Sequence, residues 1–167
     1  MWKWVFGGLV GALGGIAVGF ALGIFIYPFW FLNDVATEQV ENRAGWVARA
    51  AGEFTHVNPG DPVHWGRGHA TILEAADGRR ALSLEPDFAV GPGPRFHVYL
   101  VDRPTVASEG DFLASRSTDL GRLRAFRGSQ VYAVPAGQDL AAVGSVVVWC
   151  KEFGVLISPA TLSRPPA

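Results

Sequence analysis

An uncharged N-terminal run constrains this chain more than any other feature of its sequence. No charged residue occurs from Trp4 to Asn33. A bilayer core needs about 20 apolar residues, so residues 1–32 are predicted to form a transmembrane anchor with its helix over Val5–Tyr27. A cleaved signal peptide is the alternative, but its apolar region would be only about 7–15 residues long, and small residues would mark its cleavage site.

The charges that flank this run predict its orientation. Lys3 precedes the run, and acidic residues follow it, namely Asp34, Glu38 and Glu41. Because positively charged flanks stay in the cytoplasm, we expect a single-pass protein of the cell membrane. Its N-terminus would be cytoplasmic, and the rest of the chain would be periplasmic or extracellular.

Glycines recur at every fourth position inside the run, at Gly7, Gly11, Gly15, Gly19 and Gly23. This spacing places a smooth groove along one helix face, where a second helix can approach closely. The pattern therefore predicts a homodimer formed through the helix. The alternative is that glycine is simply common in membrane helices.

Residues 33–50 are polar and carry charges of both signs, which is typical of a connecting segment. We expect a stalk there that holds a domain off the membrane, with a short helix capped by Asp34 or Thr37.

Composition narrows the class of protein further. The net charge of −1 gives no sign of nucleic-acid binding. A single cysteine cannot form an intrachain disulfide, so the fold depends on its core. The excess of arginine over lysine, together with abundant Gly, Ala and Pro, suggests a bacterial source.

Residues 51–163 are predicted to form one all-β domain, followed by a short tail at 164–167. Turn signals recur about every 8–12 residues between short apolar alternations, which favours an antiparallel β-sandwich, including jelly-roll-like arrangements. We expect a long strand over Val63–Ala75, a tight turn at Asp77-Gly78, and a hairpin of Leu120–Phe126 with Gln130–Pro135. Two more strands are expected within Val143–Leu162, with a bend at Lys151–Glu152.

The order of residues in this domain resembles the DM-thirteen domain, the family called electron-transfer DM. The resemblance covers nearly all of 51–162 and rests on these motifs: Gly52-x-Phe54, His64-x-x-x-Gly68-x-Ala70, Gly91-Pro92, Gly128-x-Gln130-x-Tyr132-x-x-Pro135 and Trp149-Cys150-x-x-Phe153. It implies an extracytoplasmic, all-β domain with a redox or electron-transfer role. That role would use the cysteine as a bare thiol or as a ligand to a group such as haem, and the matching positions are Cys150 and His64. One departure is His69, where the family usually has a small or polar residue.

Cys150 is the candidate redox residue, and two interpretations of it stay open. A reactive or ligating thiol needs an environment that stabilises the thiolate, and Lys151 or a histidine is a candidate source. Strand alternation, however, places Cys150 on one face with Val146 and Val148, where a free cysteine behaves as a small core hydrophobe.

Histidines suggest a metal site. His56 and His64 flank a turn-rich loop that contains Asp61, and on a hairpin they would face each other across two strands. Two imidazoles and a carboxylate are donors that transition metals accept. The alternative is that both are ordinary surface residues.

The sequence does not decide between three cofactor possibilities, which are noncovalent haem, a metal ion and no cofactor. The absence of Cys-x-x-Cys-His excludes c-type haem attachment. Noncovalent haem would use Cys150, His64 or neither of them as an axial ligand, with Trp149 and Tyr132 lining its pocket, although sandwich cores contain the same aromatic residues. No hydrolase or phosphate-loop motif is present. The sequence thus leaves a redox domain centred on Cys150 and a non-catalytic envelope binding or adhesion module as the two hypotheses.

Overall fold

The computed structural model describes residues 2–31 and 35–164 of the chain. Within these ranges the helices are α1 (Trp2–Phe31) and α2 (Glu109–Leu113), with 3₁₀ turns at Arg43–Gly45 and Leu140–Ala142. The strands are β1 (Val35–Thr37), β2 (Trp46–Glu53), β3 (Gly66–Arg67), β4 (His69–Ala75), β5 (Arg80–Leu84), β6 (Ala89–Val90), β7 (Phe96–Val101), β8 (Ser117–Arg122), β9 (Arg127–Val134), β10 (Ser145–Cys150) and β11 (Val155–Thr161).

The helix expected over Val5–Tyr27 is present and lies inside the longer α1. The side chains of residues 11–24 are exposed, including Ile16 and Phe20. Among the described residues, no helix combines the length and the hydropathy that crossing a bilayer requires.

The strands form two sheets around one core. The larger sheet has the order β2-β4-β5-β9-β6-β3, with β1 added in parallel to β9, and the smaller sheet has the order β11-β10-β7-β8. Bridges of Ala51 with Ser163 and of Phe54 with Ala160 join the sheets along one edge. The all-β prediction with mainly antiparallel pairing is confirmed, but the sheets form a nearly closed barrel rather than an open sandwich.

The strand expected over Val63–Ala75 is interrupted at Gly68, which has a φ of 90°. A Cβ atom there would lie 2.5 Å from the carbonyl oxygen of Asp87, so only glycine fits this left-handed position. The chain therefore changes partners: β3 pairs with β6, whereas β4 pairs with β2 and β5.

The hairpin expected between Leu120–Phe126 and Gln130–Pro135 is wrong. β8 and β9 belong to different sheets, because β8 pairs with β7 and β9 pairs with β5. The turn at Asp77-Gly78 is confirmed, since the Gly78 amide donates to the Ala75 carbonyl at 3.0 Å and Gly78 has a φ of 83°.

The segment expected to be a stalk is packed against the sheets instead. β1 pairs with β9, Val40 is buried, and β2 already begins at Trp46. The Glu38 carboxylate accepts hydrogen bonds from the Arg124 guanidinium, with 2.6 Å to Nε, and from the Val131 amide at 3.0 Å. In the described part of 33–50, β1 pairs with β9, a 3₁₀ turn follows at Arg43–Gly45, and β2 pairs with β4, so no α-helical stalk forms there.

β10 is the most buried strand, and every one of its residues is buried. Its β-branched run, Val146–Val148, suits a strand covered on both faces. One face points into the main core between the two sheets, and the other packs under α2. The predicted bend follows β10: the Gly154 amide donates to the Cys150 carbonyl at 2.9 Å, and the chain returns as β11.

Candidate functional site

A largely apolar cavity of about 530 Å³ lies where β10 ends. Three parts of the domain supply its wall: Cys150, Phe153 and Val155 from the β10–β11 hairpin, Asp61–His64 from the loop after β2, and Pro92–Pro94 with Phe96 from the start of β7. Ile24 of α1 also lines it. Small-molecule sites typically occupy about 300–1,000 Å³ and combine apolar walls with a few polar groups, which matches this cavity. We call it the Cys150 cavity.

Cys150 ends β10 and is 1% exposed. It lies between Val155 of β11 and Phe96 of β7 in the sheet, and it belongs to the same buried cluster as Val146 and Val148. Its thiol donates a hydrogen bond to the Pro94 carbonyl, with an Sγ to oxygen distance of 3.3 Å. The sulfur is thus both part of the core and part of the cavity wall.

Lys151 pairs with a carboxylate rather than with the Cys150 thiol. Its Nζ atom lies 3.0 Å from the Asp119 carboxylate, on β8. The neighbouring cation Arg95 pairs with Glu152 at 3.2 Å. The idea that Lys151 stabilises a thiolate is therefore wrong, because this cation is committed to another carboxylate.

His64 is brought to the same cavity by a tightly folded loop. The Asp61 carboxylate accepts the Val63 amide at 2.8 Å, the His64 amide at 3.0 Å and the His64 Nδ1–H group at 2.7 Å. These hydrogen bonds lower the pKa of Asp61 to about 2. The His64 amide has the largest effect, followed by the His64 ring and the Val63 amide. This side chain is therefore a carboxylate at neutral pH and holds His64 in place.

Two glycines allow the walls to approach each other. A Cβ atom on Gly91 would lie 2.0 Å from the Val63 carbonyl oxygen, and one on Gly93 would lie 2.4 Å from the Phe96 ring. The Gly91 amide also donates to the Trp65 carbonyl at 3.0 Å, which joins this turn to the loop that carries His64. Close packing at the cavity thus requires the two glycines of the Gly-Pro-Gly-Pro sequence.

Trp149 does not line the cavity, although it precedes Cys150 in the sequence. Strand alternation turns it to the opposite face, where it stacks on Phe112 of α2 at 4.3 Å between ring centroids. Phe112 in turn meets the Tyr99 ring edge-on at 5.1 Å. We call this group, completed by Val101, Val106, Val147 and Leu156, the outer cluster.

Tyr132 is also placed away from the cavity. Its hydroxyl donates to the Gln130 side chain at 2.9 Å, and Gln130, which is fully buried, accepts the Arg124 amide at 2.9 Å and donates to the Ala125 carbonyl at 2.8 Å. Burial raises the pKa of Tyr132 to about 12, so it stays a neutral phenol. The Gln-x-Tyr motif therefore stabilises the turn that leads into β9, and neither of its residues lines the Cys150 cavity.

The two histidines of the expected metal site both contact Asp61, but through different atoms. His64 bonds the carboxylate, whereas the Nε2 atom of His56 lies 2.8 Å from the Asp61 backbone carbonyl. Both belong to the loop between β2 and β3, so they do not face each other across strands. Across 2–31 and 35–164, no group of three or more His, Cys, Asp or Glu side chains is arranged to hold a metal ion.

The cavity wall fits a noncovalently held group that offers a coordination position. It presents one sulfur, from Cys150, and one imidazole, from His64, among otherwise mostly apolar residues. Thiolate and imidazole are axial ligands of protein-bound haem. Sequence reasoning named Asp61 only as a metal donor beside the two histidines, and it missed Phe96 and Phe153 as parts of the cavity wall.

The described residues thus form an all-β, nearly closed barrel with a buried thiol on the wall of one cavity. The family described as Electron transfer DM13 matches residues 60–162. Since that match covers more than half of the chain, the chain belongs to this family. Neither the curated proteins nor the solved structures contain a match to the chain.

Proposed function

We propose that this protein is an electron-transfer domain whose cofactor is held in the Cys150 cavity, with the Cys150 thiolate and the His64 imidazole as its ligands. The observation that carries the proposal is that Cys150 and His64, far apart in the sequence, line one cavity. Family membership supplies the electron-transfer class.

The single cysteine favours ligation over disulfide exchange. Exchange requires a second thiol, whereas this sequence has one cysteine. A bound haem or transition metal would accept and return one electron at a time. The protein would supply the ligands and exclude water with the walls around Phe96 and Val155.

Ligation also changes the hydrogen bonding of Cys150. A thiolate has no proton to donate, so the bond from Sγ to the Pro94 carbonyl would be lost. The proton would leave when the ligand bond forms, and binding would therefore strengthen as pH rises.

Titration of the purified full-length protein with hemin tests the proposal. We expect a saturable Soret band whose position differs in Cys150→Ala and in His64→Ala. Val148→Ala is the matched control, since Val148 lies on the same face of β10 but does not line the cavity. An identical band in wild type, Cys150→Ala and His64→Ala would contradict the ligand assignment.

A second candidate function is a non-catalytic envelope binding or adhesion module with Cys150 as a core residue. It is favoured by the thiol's burial and by its satisfied hydrogen bond to Pro94. Alkylation with iodoacetamide separates the two. A cavity thiol reacts in the folded protein and is protected by hemin, whereas a core thiol reacts only after unfolding.

We further propose that α1 anchors the domain in the cell membrane, with the domain outside the cytoplasm. The support is the uncharged run from Trp4 to Asn33, the flanking charges, and the exposed apolar side chains of α1 such as Ile16 and Phe20. Protease added to intact spheroplasts should degrade the domain. Protection of the whole domain would contradict the orientation.

Association through α1 is a separate proposal. In the single chain, nothing approaches within 4 Å of a Cβ atom built on Gly7, Gly11, Gly15, Gly19 or Gly23. That leaves a smooth face for a second helix. Replacing Gly11, Gly15 and Gly19 with leucine should abolish self-association in a membrane dimerisation assay, and an unchanged signal would contradict it.

A further inference from the structure

The Asp61 carboxylate has two oxygens with different partners. Oδ1 accepts the backbone amides of Val63 and His64, at 2.8 Å and 3.0 Å, whereas Oδ2 faces the His64 ring at 2.7 Å from Nδ1. An ionised carboxylate only accepts hydrogen bonds. The hydrogen on the neutral His64 ring must therefore be on Nδ1, which leaves Nε2 with a free electron pair.

We infer that Asp61 is a positioning residue, which holds His64 in its Nδ1–H form so that Nε2 can donate an electron pair to a metal-centred cofactor in the Cys150 cavity. This inference rests on the proposed function. It also narrows the ligand class, because a partner that needs a hydrogen-bond donor finds none at Nε2, whereas an electron-poor metal centre finds a ligand. Carboxylate–histidine–metal arrangements use this orientation, and the carboxylate makes the imidazole more basic.

The backbone of Asp61 is also held by hydrogen bonds. The Asp61 amide donates to the Asn58 carbonyl at 2.9 Å, and the Asp61 carbonyl lies 2.8 Å from Nε2 of His56. Asp61 also lines the cavity together with His64. The carboxylate is thus held from its backbone as well as from its side chain, so the orientation of the His64 ring is set before any ligand binds.

A second histidine–aspartate pair repeats the geometry away from the cavity. The Asp87 Oδ1 atom accepts the His69 amide at 3.1 Å, and its Oδ2 atom lies 2.6 Å from His69 Nδ1. Both side chains are about half exposed, and neither lines the Cys150 cavity. This pair is a matched control within the same chain.

Asp61→Asn should reverse the tautomer without moving the loop. The asparagine oxygen must take the Oδ1 position, because that position accepts two backbone amides. The asparagine NH₂ group then takes the Oδ2 position and donates to His64 Nδ1, so the ring hydrogen moves to Nε2. The Nε2 electron pair that we infer to bind the metal centre is thereby lost.

Imidazole nitrogen NMR on the ligand-free, full-length protein tests this directly. We expect wild-type His64 to carry its hydrogen on Nδ1, and Asp61→Asn to carry it on Nε2. Asp87→Asn should reverse the tautomer of His69 and leave His64 unchanged. A wild-type His64 protonated on Nε2, or an Asp61→Asn variant with an unchanged tautomer, would overturn the inference.

Hemin affinity provides the second readout. We expect Asp61→Asn to bind hemin about 10–100-fold more weakly than wild type, the range found when a carboxylate partner of a metal-bound histidine is removed. Asp87→Asn should bind like wild type. Equal affinities for wild type and Asp61→Asn would overturn the positioning role. A wild type that binds no hemin would instead contradict the proposed function, while the NMR result would still decide the tautomer.

Discussion

Cys150 and Trp149 are adjacent in the sequence and both are buried, yet their surroundings differ. Trp149 faces the outer cluster, where Phe112 stacks on it and α2 covers the sheet. Cys150 faces the main core, and a cavity begins beyond its sulfur. Burial alone therefore does not separate a residue enclosed by protein from one that borders a cavity. The difference lies in whether protein atoms or an accessible space lie on the far side.

Trp149→Ala should have the largest effect on stability. Removing the indole leaves a void under α2 and ends the stacking on Phe112, which costs about 3–5 kcal/mol of unfolding free energy. Urea unfolding measures the loss. Trp149→Phe keeps an aromatic ring against Phe112 and should be much milder. A loss below about 1 kcal/mol in Trp149→Ala would show that the outer cluster does not stabilise the fold as its packing indicates.

Cys150→Ala should change hemin binding more than it changes stability. The lost sulfur and the unpaired Pro94 carbonyl together cost only about 1–2 kcal/mol, while the hemin Soret band changes. Cys150→Ser should be tolerated similarly, because its hydroxyl can donate to the same carbonyl. Thermal unfolding and absorbance on the same samples check both effects. A large stability loss with an unchanged band would make Cys150 a core residue like Trp149.

Asp119 should make the stability beside the outer cluster depend on acid pH. Although burial opposes ionisation, hydrogen bonds from His97 and Lys151 lower the pKa of Asp119 to about 2. A carboxyl with a depressed folded-state pKa stabilises the fold above its ordinary value near 3.8 and loses that contribution as pH falls towards 2.

Asp119→Asn should therefore cost about 1 kcal/mol at pH 7, since the site is partly exposed. The difference from wild type should shrink between about pH 4 and pH 2, which is the interval between the ordinary and the lowered pKa of Asp119. Denaturant unfolding at several pH values measures it. A difference that is constant over this range would mean that the carboxylate charge does not contribute.

Phe153→Ser should have the smallest effect on folding. Phe153 is 62% exposed but lines the Cys150 cavity. Stability should change by no more than about 0.5 kcal/mol, while hemin binding weakens because an apolar wall is lost. Thermal unfolding and hemin titration report the two effects separately. A stability loss comparable to that of Trp149→Ala would contradict the comparison between the two faces.

The sequence was sufficient for the parts of the fold that depend on local pattern. The β-branched run of β10, the turn at Asp77-Gly78 and the return after Cys150 all appear as predicted. Sheet membership was not accessible, because β8 and β9 are close in sequence yet β8 pairs back to β7 while β9 pairs with β5 in the other sheet. The break at Gly68 likewise depends on the Asp87 backbone, which no local pattern reveals.

Only part of the candidate site was predicted, because residue type can be seen in the sequence whereas side-chain direction cannot. Cys150 and His64 were named from residue type and family resemblance, and the structure places them on one cavity. Trp149 and Tyr132 were named for their chemistry, but strand alternation and the Gln130 hydrogen bonds direct them elsewhere.

The position of β1 sets how far the domain can travel. Three residues separate the end of α1 at Phe31 from Val35, the first residue of β1. A fully extended chain advances about 3.3–3.6 Å per residue, so this tether reaches no more than about 14 Å. Glu38 forms an ion pair with Arg124 just beyond this segment, so the connection can lengthen only if that ion pair breaks. The anchoring by α1 proposed above would therefore keep the domain within this distance of the end of the helix.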